Sequence, residues 1–134
     1  MTTEPVVVGA AIVRDGRLLV AQRAYPEELA GRWELPGGKV EPEETEVAAL
    51  IRECREELGV DVVVGERVGR DHAIDGGFLL RLYAATTTGD PVAHEHQSLA
   101  WVGAAELDTV AWLPGDRPLV PALVALLAGG THSH

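Results

Sequence analysis

The hydrophobic pattern at the start of the chain predicts a pair of strands. Residues 6–13 are largely apolar, which is typical of a strand buried on both faces. Asp15-Gly16 is a strong hairpin-turn sequence, so residues 17–22 are predicted to return as a second strand. Residues 23–33 contain proline, glycine and several polar side chains, and we expect a loop there.

The pattern then changes to the period of an amphipathic helix. The apolar positions with this spacing are Val47, Leu50, Ile51, Cys54 and Leu58. The helix is predicted to begin near Glu43 or Glu44, because Pro42 and the acidic side chains suit a first turn and its dipole. Gly59 suits the position just past the helix end. We expect the apolar positions to form the buried stripe of this helix.

Beyond the helix the pattern returns to short strands separated by turns. The predicted elements are a strand over 60–64 that continues toward His72, a turn at 75–77, a strand over 78–87, a break at 89–91, a strand over 98–102 and a helical turn over 104–107. A final amphipathic helix is predicted over 118–127, with four leucines facing inward, namely Leu119, Leu123, Leu126 and Leu127. Strands with one helix in mid-chain and one at the end predict an α+β fold around a mixed sheet.

Composition limits the architecture to one globular domain. The 134 residues are 46% apolar and 24% charged, which suits a single domain over 1–134 with a flexible tail from 128, including His132 and His134. One cysteine excludes an internal disulfide framework and suits a reducing compartment. Residues 1–5 lack a signal pattern, and no apolar run approaches the roughly 18 residues of a membrane span. We therefore expect a cytoplasmic protein that does not enter a membrane.

The net charge of −10 restricts the partners of the chain. A strongly acidic surface argues against binding duplex nucleic acid, which requires a basic face to displace counterions. The same charge would also repel a nucleotide, unless carboxylates first collect Mg²⁺ and the metal bridges to the phosphates.

Three glutamates in the predicted helix are candidates for that role. Glu53, Glu56 and Glu57 are separated by three and four positions, so their carboxylates gather along one flank. Like charges at this spacing destabilise a helix by about 0.2–0.5 kcal/mol per pair, and a bound Mg²⁺ would reverse that effect. The simpler interpretation is a solvated acidic face whose repulsion is relieved by Arg52 and Arg55. The adjoining glycine loop and the Arg-Glu step favour the metal site.

The whole segment over 38–60 resembles the signature of the Nudix hydrolases, written G-x5-E-x7-R-E-U-x-E-E-x-G-U with U apolar. The matching residues are Gly38, Glu44, Arg52, Glu53, Cys54, Glu56, Glu57, Gly59 and Val60. Cysteine is unusual at its position, although a buried free cysteine behaves as a small apolar residue. Nudix hydrolases cleave nucleoside diphosphates linked to another group, using divalent metal. The resemblance implies an α/β/α sandwich with a mixed sheet.

The resemblance also implies roles for individual residues. Glu53 and Glu57 match the principal ligands of the metal, which is Mg²⁺ with Mn²⁺ as a substitute. Glu56 belongs to the same metal cluster, and the Gly37 carbonyl often completes such a site. Arg52 resembles the arginine that orients the catalytic glutamate, and Glu44 is expected to support it.

A weaker resemblance links the chain to the MutT-like nucleoside-triphosphate pyrophosphohydrolases. It rests on residues 20–23, on residues 33–39 and on His94-Glu95-His96-Gln97 followed by Trp101. In that group a glutamate matching Glu95 reaches the metal and activates water. The general base is therefore Glu53, Glu56 or Glu95, and the sequence does not choose among them. His94 and His96 are expected to be solvated neighbours rather than ligands.

Each candidate for substrate contact also has an ordinary structural alternative. Arg23 is placed to contact a phosphate or a base, and Lys39 to contact a phosphate, although both residues also suit a plain surface. Leu35 and Phe78 would supply apolar walls for a base, or simply belong to the core.

Asp116 lies where MutT proteins that read oxidised guanine have an asparagine. A carboxylate accepts hydrogen bonds, so Asp116 favours an exocyclic amine such as N4 of cytosine. The same residue resembles the variant of the family that prefers cytidine triphosphates. The alternative is that Asp116 caps the last helix, with Pro118 in its first turn.

These observations lead to a nucleoside-triphosphate pyrophosphohydrolase as the main hypothesis. It would convert (d)CTP or its 5-methyl form to the monophosphate and pyrophosphate, in nucleotide-pool sanitation. The alternatives are an 8-oxo-dGTP diphosphatase, an ADP-ribose or dinucleotide hydrolase, and a nucleotide sensor without turnover. The dinucleotide activity is disfavoured because little chain precedes the first strand, and the sensor because the signature glutamates are intact. We expect a monomer.

Overall fold

The computed structural model describes residues 5–130, in which a mixed sheet lies between two α-helices. The strands are β1 (Val6–Arg14), β2 (Arg17–Gln22), β3 (Trp33–Glu34), β4 (Gly37–Lys39), β5 (Val63–Ile74), β6 (Phe78–Thr86) and β7 (Ser98–Val102). The helices are α1 (Glu46–Leu58) and α2 (Val120–Gly130). Short 3-10 turns lie at Glu27–Leu29, Asp75–Gly77, Ala104–Thr109 and Arg117–Leu119.

The sheet combines one parallel pair with antiparallel pairs. Its main strand order is β3-β2-β1-β6-β5, while β4 also pairs with β1 and β7 with β2. Strands β1 and β6 run parallel, with Val6 opposite Leu79. The β1–β2 hairpin turns at Asp15 and Gly16, as the sequence predicts. The mixed sheet is confirmed.

Strand β1 shows how the sequence produces two cores. Its side chains alternate between the two faces of the sheet, as the period of a strand requires. Val8 and Ile12 pack with Leu50 and Leu58 of α1. Ala11 packs on the other face with the cluster that includes Leu123 of α2. A strand that is apolar on both faces therefore joins two helical layers, which confirms the α/β/α arrangement.

Helix α1 begins later than the sequence pattern predicts. Thr45 is its N-cap residue, and the Thr45 hydroxyl accepts a hydrogen bond of 3.0 Å from the backbone N–H of Ala48. Glu43, a predicted first residue, has φ of 66°, which is outside the right-handed helical region. The helix starts at Glu46 because the threonine satisfies an N–H group that would otherwise lack a partner. Gly59 ends the helix with φ of 69°, as expected.

The predicted apolar stripe of α1 is correct except at its first position. Leu50, Cys54 and Leu58 are fully buried, and Ile51 is partly buried against the same core. Val47, by contrast, is 42% exposed. It lies in the first turn, beside an open groove at the edge of the sheet, so its side chain does not reach the core.

The C-terminal helix extends further than predicted. Residues 128–130, expected to begin a flexible tail, belong to α2, and His132 and His134 lie outside the described residues. Leu119, Leu123 and Leu127 are buried, and Leu126 is partly buried against the same cluster. Among the described helices, none is long and apolar enough to cross a membrane.

Candidate active site

The glycine pair of the signature forms a strand rather than the expected loop. Gly37 and Gly38 lie in β4, where Gly37 pairs with Gly9 of β1. Gly37 has φ of 153°, and a Cβ at this residue would lie 2.0 Å from the carbonyl oxygen of Val8. A Cβ on Gly38 would lie 2.3 Å from a carboxylate oxygen of Glu53. The two glycines thus let the backbone lie directly between strand β1 and an acidic side chain of α1.

Glu53 and Glu57 form a close pair of carboxyl groups beneath this strand. Glu57 is only 7% exposed, and its Oε1 accepts a bond of 3.4 Å from the backbone N–H of Gly37. Burial, a hydrogen bond with Glu53 and the negative charge of Glu53 raise the pKa of Glu57 to about 9. An isolated pair of this kind favours a shared proton, and a cation would replace that proton and keep both groups ionised.

Arg52 holds the outer side of this pair. Its Nε and NH2 groups donate to both oxygens of Glu44, at 2.8 and 3.0 Å, and its NH1 donates to Glu53 at 3.1 Å. NH2 also donates to the carbonyl oxygen of Lys39 at 3.1 Å. The bond from Arg52 lowers the pKa of Glu44 to about 2. Arg52 therefore connects Glu44, Glu53 and β4, and its role in orienting a catalytic glutamate stays a prediction.

Glu56 takes a different position from the two other glutamates. Its side chain is 52% exposed and lies 3.5 Å from NH1 of Arg52. Within residues 5–130, no group of three or more His, Cys, Asp or Glu side chains converges closely enough to bind a metal. The structure thus brings Glu53 and Glu57 together, but leaves Glu56 paired with Arg52 at the rim.

The chemistry of the Glu53–Glu57 pair fits a hard divalent cation. Both donors are carboxylate oxygens, which Mg²⁺ prefers, and the nearby Glu34 adds a third negative charge that raises the pKa of Glu57. Magnesium retains several water ligands and needs one or two carboxylates, so a complete cage of side chains is not required.

A polar cavity of about 310 Å³ opens beside Glu57, whereas Glu53 does not belong to its lining. We define it by six of its lining residues, Arg23, Glu34, Lys39, Glu57, Glu95 and His96. Arg23, Lys39, Glu57 and Glu95, which sequence analysis selects, thus face one space. Its mixture of carboxylates and two cationic side chains suits a metal-bound polyphosphate.

The loop that carries Glu95 is attached to the end of α1. The backbone N–H of Val92 donates to Leu58 at 2.9 Å, and that of His94 donates to Glu57 at 3.0 Å. Both acceptors are carbonyl groups in the last turn of the helix, which have no partner inside the helix itself. The loop is held next to the acidic pair, and Glu95 is exposed at the cavity.

Glu34, which is not among the predicted site residues, contacts His96, whose predicted solvent exposure is wrong. The His96 side chain is 7% exposed rather than solvated, and its Nε2 lies 2.8 Å from Oε2 of Glu34. Arg23 donates from NH1 to Oε1 of the same carboxylate at 3.2 Å. The segments that carry these residues are far apart in sequence, so periodicity does not predict their contact. The one feature of the sequence that singles out Glu34 and His96 is that both lie in stretches that resemble MutT proteins.

An apolar cavity of about 360 Å³ adjoins the polar one. Its lining includes Gly9, Leu35, Ile74, Leu80, Leu82 and Asp116. Three residues line both cavities, namely Val7, Glu34 and Gly37. Leu35 is buried and lines this space, and its role as a wall of a base pocket stays a prediction.

Asp116 contributes a carboxylate to the apolar cavity. Its Oδ2 accepts a hydrogen bond of 2.9 Å from the backbone N–H of Leu35. The pairing of residues 111–113 with Trp33 brings the Asp116 segment to this position. Within residues 5–130 its side chain makes no capping bond to the following 3-10 turn, so the capping interpretation is wrong. Burial raises the pKa of Asp116 to about 7, against the lowering effect of the Leu35 N–H.

Phe78 does not belong to the lining of either cavity described here, contrary to its predicted role as a pocket wall. Its ring lies beneath the ammonium group of Lys39, with Nζ 4.8 Å from the ring centroid. The aromatic face attracts the cation and holds the Lys39 side chain at the rim of the polar cavity.

Comparisons with known proteins show the family of the chain. A family model described as the NUDIX domain matches residues 3–123. The chain is 53% identical over 128 residues to a Mycobacterium tuberculosis protein named "Putative 8-oxo-dGTP diphosphatase 2", covering 92% of this chain and 91% of that protein. It is 44% identical over 125 residues to the "CTP pyrophosphohydrolase" of Escherichia coli, covering 91% and 93% of the two chains.

Solved structures show the same fold. The solution structure of the E. coli ORF135 protein has a TM-score of 0.77 and 43% identity, covering 93% of this chain and 91% of the other. A MutT NUDIX hydrolase from Burkholderia pseudomallei has a TM-score of 0.71 and 36% identity, covering 91% and 97%.

Proposed function

Because the chain belongs to the Nudix family, as a MutT-like hydrolase of nucleotide phosphoanhydride bonds, we propose that it converts (d)CTP or 5-methyl-(d)CTP to the monophosphate and pyrophosphate. The observation that carries this proposal is the Asp116 carboxylate inside the apolar cavity. The adjoining cavities fit the two parts of a nucleotide, with the polyphosphate beside Glu57 and Lys39 and the base beside Leu35 and Asp116.

The base preference follows from hydrogen-bond chemistry. One oxygen of Asp116 is occupied by the Leu35 N–H, which fixes the plane of the carboxylate. The other oxygen belongs to a residue that lines the apolar cavity, and it would lose its access to water without gaining a donor if a base with no amine filled that space, at a cost of about 1–3 kcal/mol. The N4 amine of cytosine supplies the donor that such an acceptor requires.

Protein side chains at the polar cavity would perform the remaining steps. Glu53 and Glu57 would hold Mg²⁺, which when bound neutralises the phosphates and lowers the pKa of a water molecule. Lys39 and Arg23 would contact phosphate oxygens from the opposite side. Water would attack the β-phosphorus, a carboxylate would take its proton, and the nucleoside monophosphate would leave. Glu95 is best placed to be this base, since Glu56 is paired with Arg52.

An 8-oxo-dGTP diphosphatase is the second candidate, and two observations favour it. The M. tuberculosis relative carries that name at 53% identity. The pKa of Asp116 is raised to about 7, so a fraction of the carboxyl groups is protonated at neutral pH. A protonated carboxyl group can donate to a purine carbonyl oxygen, as an asparagine would.

A coupled assay separates these functions. The purified protein would be tested with Mg²⁺ on CTP, dCTP, 5-methyl-dCTP, 8-oxo-dGTP and the three other common dNTPs, using pyrophosphatase to convert released pyrophosphate to phosphate. ADP-ribose would be tested with alkaline phosphatase instead, because its hydrolysis releases two phosphomonoesters and no pyrophosphate. We expect the highest kcat/KM with a cytidine triphosphate. A higher value with 8-oxo-dGTP would support the second candidate, and no Mg²⁺-dependent turnover of any nucleotide would exclude both.

A further inference from the structure

Glu34 occupies the junction between the polar and apolar cavities. Its backbone is fixed in β3, where it pairs with Ala21 of β2. Its side chain is part of the lining of both cavities. A nucleotide whose triphosphate and base occupy the two cavities must place its sugar beside this carboxylate.

Two side chains hold the Glu34 carboxylate in place. NH1 of Arg23 lies 3.2 Å from Oε1 and 3.4 Å from Oε2. Nε2 of His96 lies 2.8 Å from Oε2. An ionised carboxylate offers about four acceptor positions, so it can still accept a hydrogen bond from a ligand.

His96 has the properties of a support rather than of a ligand contact. Its imidazole is buried, and Nδ1 has no hydrogen-bond partner among the described residues. A buried bare lone pair is less costly than a buried N–H without an acceptor, so the proton belongs on Nε2, where it donates to Glu34. The next residue is also anchored, because the backbone N–H of Gln97 donates to Gln22 at 2.9 Å.

We propose that His96 is a positioning residue, which directs the Glu34 carboxylate into the junction as the acceptor for a sugar hydroxyl of the substrate. This inference rests on the proposed function, because it takes a nucleoside triphosphate as the ligand. Arg23 restrains both carboxylate oxygens from one side, and His96 fixes Oε2 from the other. Loss of the His96 bond would leave Glu34 free to rotate toward Arg23, and the sugar would lose its acceptor.

The test compares substrates with and without sugar hydroxyls. CTP and 2′,3′-dideoxy-CTP carry the same base and phosphates, so the ratio of their kcat/KM values reports the hydroxyl contact. We expect wild-type protein to favour CTP by about tenfold, the size typical of a hydrogen bond to a charged group. His96→Phe should bring the ratio near one, mainly through a higher KM for CTP, with little change in kcat.

Matched variants separate positioning from loss of structure. His96→Gln keeps an N–H donor near the place of Nε2 and should restore most of the ratio, whereas His94→Gln, an exposed neighbour on the same loop, should leave it unchanged. Glu34→Gln should lower the ratio, and the double variant with His96→Phe should lower it no further, because the two residues act through one contact. Melting temperatures would show that each variant is folded.

The outcomes distinguish the inference from the proposed function. A ratio that is unchanged in His96→Phe, or that falls equally in His96→Gln, would overturn the positioning role even if turnover is high. If wild-type protein cleaves neither nucleotide, the proposed function fails. The positioning role of His96 is then tested in the same variants by the ratio of the dissociation constants of CTP and 2′,3′-dideoxy-CTP, measured by tryptophan fluorescence. Absence of any nucleotide binding would overturn both.

Discussion

The polar and apolar cavities are held together by different interactions. Around the polar cavity, charges oppose one another: Glu53 and Glu57 are forced together, and Arg52 offsets part of their repulsion. Around the apolar cavity, close-packed side chains such as Leu35, Leu80 and Leu82 define the shape. The electrostatic repulsion around the polar cavity is relieved only when a cation binds, whereas the packing around the apolar cavity does not depend on a cation.

This difference assigns separate tasks to the two regions. A cavity whose carboxylates need a cation should bind any ligand that also coordinates that cation, and the polyphosphates of many nucleotides do so. A cavity with fixed apolar walls and one acceptor discriminates by shape and hydrogen bonding. We therefore expect changes in the polar cavity to alter the rate for every substrate, and changes in the apolar cavity to alter the choice among substrates.

The largest effect is expected from Glu57→Gln. An amide binds Mg²⁺ poorly, so kcat should fall for all substrates. Mutation of an outer-shell partner of a metal site costs up to about 100-fold, and loss of a direct ligand should cost at least as much. Without metal, the melting temperature at neutral pH should rise, because the wild type must take up a proton to bury Glu57 beside Glu53, whereas a glutamine is neutral in both the folded and the unfolded state. Steady-state kinetics and thermal melts with and without Mg²⁺ measure both. Glu66→Gln, at an exposed strand position, is the control and should change neither.

Arg52→Lys should have the next largest effect. A lysine cannot donate at once to both oxygens of Glu44 and to Glu53, so kcat should fall by about 10–100-fold with all nucleotides. Arg55→Lys is the matched control, since Arg55 is exposed and pairs with Asp61 on the outer side of the helix. Equal losses in both variants would contradict a specific role of Arg52 in orienting Glu53.

Asp116→Asn should change selectivity rather than rate. An asparagine can donate as well as accept, so the kcat/KM ratio of dCTP to 8-oxo-dGTP should fall by about tenfold or more, within the range for one base contact. Unchanged cytidine selectivity would refute the role of Asp116 in base reading.

The same variant predicts a pH effect on stability. Folding raises the pKa of Asp116 from 3.8 to about 7, so the folded protein keeps a proton that the unfolded chain has lost between these values. Stability should therefore fall as pH rises from about 4 to 7 and lose nothing further from this group above that range. In Asp116→Asn this contribution disappears, and melts at pH 5 and pH 8 should differ by less than in the wild type.

The smallest predicted effect concerns the start of α1. Thr45→Ala removes the hydroxyl that caps the helix and should cost about 1 kcal/mol of unfolding free energy. Val47→Ala, in the first turn but exposed, should change stability by less than about 0.5 kcal/mol. Urea denaturation of both variants tests the observed helix start. Equal losses of unfolding free energy in the two variants would contradict it.

The Glu53–Glu57 pair was largely predictable because its spacing is local. Glu53 and Glu57 are one helical turn apart, so their proximity follows from helix geometry and the spacing of the signature. The alternation along β1 likewise predicts two faces and therefore two layers of helix. The helix start was misplaced because Pro42 and two glutamates suit a first turn, while Thr45, a strong capping residue, was overlooked.

The apolar cavity and the junction were harder to predict because they join distant segments. The bond from Leu35 to Asp116 spans 81 positions, and the contact between Glu34 and His96 spans 62. Hydrophobic periodicity does not specify which loops meet, so His96 was expected to be solvated and Phe78 to line the base pocket. Resemblance to MutT proteins selected the correct stretches of sequence, but only the three-dimensional arrangement showed which side chains contact each other.

A crystal structure with Mg²⁺ and α,β-methylene-dCTP, in which the scissile bridge resists hydrolysis, would test the two-cavity account most directly. The account predicts metal density on Glu53 and Glu57, the phosphates in the polar cavity beside Lys39, and the cytosine amine within hydrogen-bond distance of Asp116. Phosphates remote from Glu57, or a base lying outside the apolar cavity, would contradict it.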